Sequence, residues 1–123
     1  MAHHPIVHVE IATRDPKASA KFYSELFGWN ILSDDSLNYV MWRTDDEDAP
    51  GGGFAPIDEA QGVRPFDTIV YVGTDDVDAT LRKVEQLGGK VLTPKMEIPN
   101  TGWMAIFEDP HGGRMALYKS MQQ

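Results

Sequence analysis

The stretch His8–Ile31, HVEIATRDPKASAKFYSELFGWNI, reads as a strand, a turn and an amphipathic helix. Shifted by 61 positions without a gap, it lies over Ile69–Leu92, IVYVGTDDVDATLRKVEQLGGKVL. The shift pairs Val9 with Val70, Thr13 with Thr74, Asp15 with Asp76, Ala18 with Ala79, Leu26 with Leu87 and Gly28 with Gly89. The roles repeat in the same order: a β-rich run, an Asp at a helix N-cap, a Gly at its end. The chain therefore reads as a duplicated supersecondary unit.

Working outward, Ile6–Ala12 alternates. Val7, Val9 and Ile11 form a uniformly apolar set expected to pack against helices; His8 and Glu10 share the other face. Asp15-Pro16 starts the first helix, with Ala18, Phe22 and Leu26 as its expected inner stripe and Ser19, Tyr23 and Phe27 beside it. Trp29–Leu32 and Leu37–Arg43 are expected strands around a turn at Ser33–Ser36. Thr44–Gly53 has loop composition, acidic and then Gly-rich, and a short strand is expected over Gly53–Ala55. Pro56–Pro65 is the expected link. The pattern then restarts. Phe66–Gly73 is a strand, and Asp75 or Asp76 caps a helix with Val77, Leu81 and Val84 inside and Gly88-Gly89 at its end. Lys90–Glu97, Trp103–Glu108 and Gly113–Lys119 complete it, with a turn at Asp109–Gly112. The fold class is α+β, two tandem βαβββ modules at about 5–56 and 65–119 of one domain.

Composition bounds the function. A chain of 123 residues is one domain, and 41% hydrophobic residues support a core. A formal net charge of −8 opposes a phosphate backbone, so nucleic acid is not an expected partner. The absence of cysteine removes disulfides, thiolate metal sites and a Cys nucleophile. No apolar run approaches the roughly 20 residues of a membrane span, and no signal-peptide segment opens the chain. The expectation is a soluble cytoplasmic protein.

The two halves, the ATRDPKASAKFYSELFGW segment and the closing EDPHGGRMALY together resemble the vicinal oxygen chelate superfamily: glyoxalase I, bleomycin-resistance proteins and extradiol dioxygenases. FGW and NTGWMAIFEDPHG look most like the branch related to lactoylglutathione lyase. The resemblance implies a curved mixed sheet around a cleft, and often a homodimer. It also implies metal ligands, one from the first and one from the last strand of each module. His8 matches the first position. Ile69 stands at its counterpart and Ala116 at the last-strand place. GGGFAP, the first module's last strand, offers no ligand side chain. One matched donor is too few for a stable site, so no metal and no cofactor are expected.

Candidate ligand-binding residues are His8, Glu10, Trp42, Phe54, Ile69, Tyr71, Trp103, Arg114 and Tyr118; His8 and Glu10 are also the acid–base candidates. Tyr71 is the repeat counterpart of Glu10. Arg114 and Tyr118 flank Ala116, while Met115 and Leu117 should face the helices. His111 fits local turn bonding, and His3 and His4 lie in a terminus able to approach His8. Asp45–Asp48 lacks EF-hand spacing, and Gly51–Gly53 lacks the lysine and helix of a phosphate loop. Two functions follow: a small-molecule-binding protein without metal chemistry, or an enzyme, either a divergent metal-dependent lyase or dioxygenase or a metal-free one using His8 and Glu10.

Overall fold

The computed structural model describes residues 4–34, 39–61 and 63–121. Its elements run β1 (Ile6–Thr13), α1 (Pro16–Phe27), β2 (Asn30–Asp34), β3 (Tyr39–Arg43), β4 (Gly51–Pro56), β5 (Thr68–Gly73), α2 (Val77–Gln86), β6 (Lys90–Ile98), β7 (Gly102–Glu108) and β8 (Arg114–Ser120). The βαβββ pattern occurs twice, and the fold is α+β. The expected turn at Ser33–Ser36 is corrected in its first half, since Ser33 and Asp34 belong to β2 and pair with Val40 and Tyr39; residues 35 and 36 of that turn, and 37 and 38 of the strand expected after it, lie outside the described residues. The chain divides into two compact units, one of His8–Ile69 and one of Met1–Val7 with Val70–Gln123.

In the His8–Ile69 unit, β4 pairs with β1 in parallel, aligning Val9 with Gly52 and Glu10 with Gly53. It pairs with β3 antiparallel, aligning Val40 with Phe54 and Trp42 with Gly52. The alternation of side chains then puts Val9, Ile11, Val40, Trp42 and Phe54 on the α1 side, and His8, Glu10, Tyr39 and Met41 on the other. The α1 side is the core: Ala20, Val40, Trp42 and Phe54 are buried, with Val9, Ile11, Tyr23, Trp29 and Ile31 packed on them. Tyr23 is its hub, stacked on Phe54 at 5.8 Å and on Trp29 at 5.6 Å, and Trp29 stacks on Trp42 at 4.0 Å.

The Val70–Gln123 unit mirrors this. Val77, Leu81, Ala105 and Leu117 form the core, with Val72, Val91, Trp103 and Phe107 against it. Strand β8 pairs in parallel with β5, Tyr71 opposite Ala116, and antiparallel with β7.

The duplicated caps are present atom for atom. Asp15 accepts from the Ala18 N–H at 3.1 Å, and Asp76 from the Ala79 N–H at 3.0 Å. Both have extended backbones, φ −146° and −148°. Each cap is braced from behind: the Asp15 N–H donates to Thr13 Oγ1 and the Asp76 N–H to Thr74 Oγ1. Those hydroxyls bond in turn to Ser19 (2.6 Å) and Thr80 (2.7 Å), again 61 apart.

Four further local expectations are corrected. The α1 stripe Ala18–Phe22–Leu26 faces outward; Phe22 is 59% and Leu26 56% exposed. The inner face is Ala20 and Tyr23, the positions 61 before Leu81 and Val84. Gly51-Gly52-Gly53 is strand, not loop, paired with both β1 and β3, and glycine is needed where Trp42 lies across it: a Cβ on Gly52 would sit 2.7 Å from Trp42 Cε2. Glycine here supplies close approach rather than a turn. At the end of α2 the left-handed residue is Gly88 (φ 93°). Gly89 answers a different need, since a Cβ there would meet Glu108 O at 2.9 Å. Finally, β5 begins at Thr68, because Phe66 is turned out at φ 71° and 99% exposed. Asp67 holds that turn, its carboxylate accepting from the Arg64 N–H at 2.8 Å.

Candidate functional site

Glu10 is the one buried charged side chain among the described residues, at 7% exposure. A glutamate in that state needs partners, because an unpaired buried carboxylate is costly. It has them. His8, two residues back on the same face of β1, bonds through Nε2 to Glu10 Oε2. Tyr39, at the start of β3, donates its hydroxyl to the same oxygen. His8 Nε2 also lies 2.9 Å from the Tyr39 hydroxyl, and the two rings stack at 6.5 Å. Two side chains, one from each of two strands, thus converge on one carboxylate oxygen.

Gly53 makes the convergence fit. It stands opposite Glu10 in register, and a Cβ there would fall onto the Tyr39 hydroxyl and 2.7 Å from Glu10 Oε2. The apolar core lies on the other side of the sheet. His8 is the accessible member, its side chain 26% exposed against 9% for Glu10. The arrangement leaves the imidazole part-exposed and anchors it with a carboxylate and a phenol. Such a set can bind a polar group or pass a proton.

Tyr39 is the site residue that sequence reading missed. It sat inside an expected strand, but only register shows which strand face meets His8. With Trp42 on the core side, alternation gives Tyr39 and Met41 to the Glu10 side.

The other candidates fall into three environments. Trp42 and Phe54, expected to line a cleft, are 6% and 0% exposed in the core of their unit. Trp103 is likewise on the helix side, packed on the Val77–Leu117 core with the Lys95 ammonium 5.5 Å above its ring. Lys95 also reaches Asp78 of α2 at 3.5 Å. Ile69 and Ala116 are buried, at 4% and 0%. Tyr71 is half-buried, its hydroxyl 3.9 Å from Met104 Sδ; the Tyr118 hydroxyl donates to Thr101 O at 3.2 Å, and Arg114 is half-buried on the same strand face as Tyr118. Leu117 faces the helix, as alternation required.

The remaining histidines and acids are local. His4 Nδ1 lies 3.0 Å from Gly73 O, and His3 lies outside the described residues. The Asp109 carboxylate accepts from the N–H groups of His111 (2.8 Å) and Gly113 (3.0 Å), which hold its pKa below the ordinary value, His111 most. Asp46 accepts from the Asp48 N–H at 2.9 Å within an exposed loop.

A sequence profile of the Glyoxalase/Bleomycin resistance protein/Dioxygenase superfamily matches residues 5–117. The chain belongs to that superfamily. It is 32% identical over 124 residues to the anthracycline biosynthesis protein DnrV of Streptomyces peucetius, covering 89% of this chain and 45% of that protein. It is 31% identical over 129 residues to the putative glyoxylase CFP32 of Mycobacterium tuberculosis, covering 91% and 44%. The chain thus spans about half the length of these curated relatives. A glyoxylase-like domain-containing protein of Didymella fabae is 27% identical, covering 94% of this chain and 93% of that one. Among solved structures, methylmalonyl-CoA epimerase from Mycobacterium tuberculosis matches with a TM-score of 0.67 at 17% identity, over 94% and 87% of the two chains. A hypothetical protein from Bacillus halodurans, BH1468, matches with 0.72 at 13%, over 98% and 96%. These structural likenesses share the superfamily fold.

The superfamily's metal does not fit the residues present. His8 and Glu10 are turned onto each other and onto Tyr39 rather than toward a common vacant point. Among the described residues no group of three or more His, Cys, Asp or Glu gathers. Ile69 and Ala116 have no donor atom to add, and a structural or catalytic site of this kind takes at least three protein ligands.

Proposed function

We propose that this chain binds a small organic molecule on the sheet face carrying His8, Glu10 and Tyr39, and that it does so without a divalent metal. The observation behind the reading is the single carboxylate oxygen on which His8 and Tyr39 both converge. Donors committed to one another hold their geometry for a ligand's polar group, whereas a metal site needs them parted. Gly53 makes room for the Tyr39 hydroxyl against Glu10, which fixes the polar cluster that a ligand on this face would meet. The kinship with anthracycline biosynthesis proteins points the same way, toward a polycyclic aromatic molecule with a hydroxyl or carbonyl for His8.

A second reading rests on the same cluster. An imidazole, a carboxylate and a phenol in contact are the parts of metal-free acid–base catalysis, with His8 exchanging the proton and Glu10 orienting it. Turnover of the bound molecule separates the two. Glu10→Gln keeps a binding site of nearly the same shape and removes the charge, so an enzyme would retain affinity and lose rate.

The test is a thermal-shift screen of polycyclic aromatic and other organic compounds, run with EDTA and with added divalent metal. A ligand at 100 times its Kd stabilises by about 2.7 kcal/mol, so even weak binding registers. The expected result is a hit whose shift survives EDTA and falls in His8→Ala and Tyr39→Phe. A hit that appears only with metal would overturn the proposal.

A further inference from the structure

The two oxygens of the Glu10 carboxylate are used unequally. Oε2 takes both bonds, from His8 and from Tyr39, while Oε1 takes none from any described residue. Oε1 is not sealed in, however. Trp42 Nε1 is buried without a partner, whereas Oε1, also without one, still meets solvent. A carboxylate accepts on both oxygens, and one buried this far gains from a donor brought to the second. The surrounding charge selects the kind of donor. The unit His8–Ile69 carries twelve acidic residues against five basic, and Val70–Gln123 carries seven against six. Nearly all of the chain's net charge of −8 therefore lies in the half that holds Glu10. A field of that sign raises the local concentration of cations.

We infer that the molecule bound on this face carries a protonated amine, which donates an N–H to Glu10 Oε1. The inference rests on the binding reading proposed above and adds the charge of the ligand to it. An ammonium fits where a metal does not. One carboxylate oxygen satisfies one of its N–H groups and water the others, whereas a metal site takes three or more protein donors. The two bonds to Oε2 also hold the carboxylate against rotation. Oε1 is thus set in place before a ligand arrives, and little ordering is left to be done on binding. A neutral molecule of the same shape forgoes the charge-assisted bond, which is about twice as strong as one between neutral groups.

Three matched probes test this by titration calorimetry on the full chain, at neutral pH in EDTA. They are aminomethylanthracene, its uncharged N-acetyl derivative, and the trimethylammonium analogue, which keeps the charge and has no N–H to donate. The wild type should bind the amine about tenfold or more tighter than the acetylated probe, as one charge-assisted bond supplies. It should also prefer the amine to the trimethylammonium probe. In Glu10→Gln the amine should fall to the affinity of the acetylated probe, which still binds. Glu47→Gln, at an exposed acid of the same unit, should leave the wild-type order unchanged. Because Glu10→Gln spares the uncharged probe, turnover on that probe still separates binding from catalysis. A wild type that binds the amine no tighter than either other probe would overturn the inference, whatever the variants do. So would a preference for the amine that survives Glu10→Gln. If none of the three binds although the thermal-shift screen finds an uncharged ligand, the inference falls and the binding reading stands. If the screen finds no ligand at all, both fall.

Discussion

The two modules agree where the chain turns and disagree where side chains face inward. Asp15 and Asp76, Thr13 and Thr74, Ser19 and Thr80 hold the same bonds 61 residues apart. Yet the first core stacks four rings, Tyr23, Trp29, Trp42 and Phe54, while the buried centre of the second is aliphatic, Val77, Leu81, Ala105 and Leu117, with Trp103 and Phe107 packed against it. On the opposite faces the contrast is sharper. Strand β1 carries His8 and Glu10 where β5 carries Ile69 and Tyr71. Opposite Glu10 stands Gly53, which has no room for a Cβ; opposite Tyr71 stands Ala116, whose Cβ is fully buried. Duplication kept what shapes the backbone, and among the described residues the polar cluster occurs in the first module and not in the second.

The largest effect should come from the ring ladder. Phe54→Ala empties a fully buried site under Tyr23 and should cost about 3–5 kcal/mol. Val77→Ala, at the matching depth in the aliphatic core, removes two methyl groups and should cost about 2 kcal/mol. Urea denaturation of the two variants measures both, and equal losses would deny that the cores differ in kind.

Next comes the site itself. Gly53→Ala drives a methyl into the Tyr39 hydroxyl and Glu10, and should cost about 1–3 kcal/mol as overpacking does. The reverse change in the other module, Ala116→Gly, should cost about 1 kcal/mol through backbone freedom and the lost methyl contact. If Gly53→Ala were neutral, the Glu10 cluster would not be packed as described.

The caps should behave as equals. Asp15→Ala and Asp76→Ala should each lower stability by about 1 kcal/mol, within about half a kcal/mol of one another. Thermal unfolding of both variants checks this, and a large disparity would break the duplication at the point where it looks strongest.

The smallest effect concerns the Asp109 turn. The N–H groups of His111 and Gly113 lower its folded pKa, so its contribution is fully present above the ordinary carboxylate pKa. It is lost as pH falls through the lowered folded value. Stability of the wild type relative to Asp109→Asn should therefore shrink on acidification, measured by denaturation at pH 7 and again below the ordinary carboxylate pKa. A difference that grows toward acid would contradict the sign.

Much of this was legible in the chain. The caps, the element order and the sharing of one strand face by His8 and Glu10 follow from local rules and a constant offset. What was not legible depended on tertiary register. Ala18–Phe22–Leu26 has the period of a buried stripe, and periodicity alone does not show that the helix packs through Ala20 and Tyr23 instead. The repeat carried that information, since Leu81 and Val84 map onto those residues. Three consecutive glycines signal a loop by composition, yet they are strand, because the Trp42 ring takes the Cβ space at Gly52 and the Tyr39 hydroxyl takes it at Gly53. Tyr39 joined the site through its pairing in β3, which no local rule predicts.

On the reading proposed above, His8, Glu10 and Tyr39 serve an organic ligand and not a metal. Elemental analysis of the full chain, purified without chelator, separates the two possibilities when His8→Ala and Glu10→Gln are run beside the wild type. Well under one Ni, Zn, Mn or Fe per chain is expected in all three. A stoichiometric metal in the wild type that disappears in His8→Ala would overturn the proposal and make the metalloenzyme reading the one to pursue.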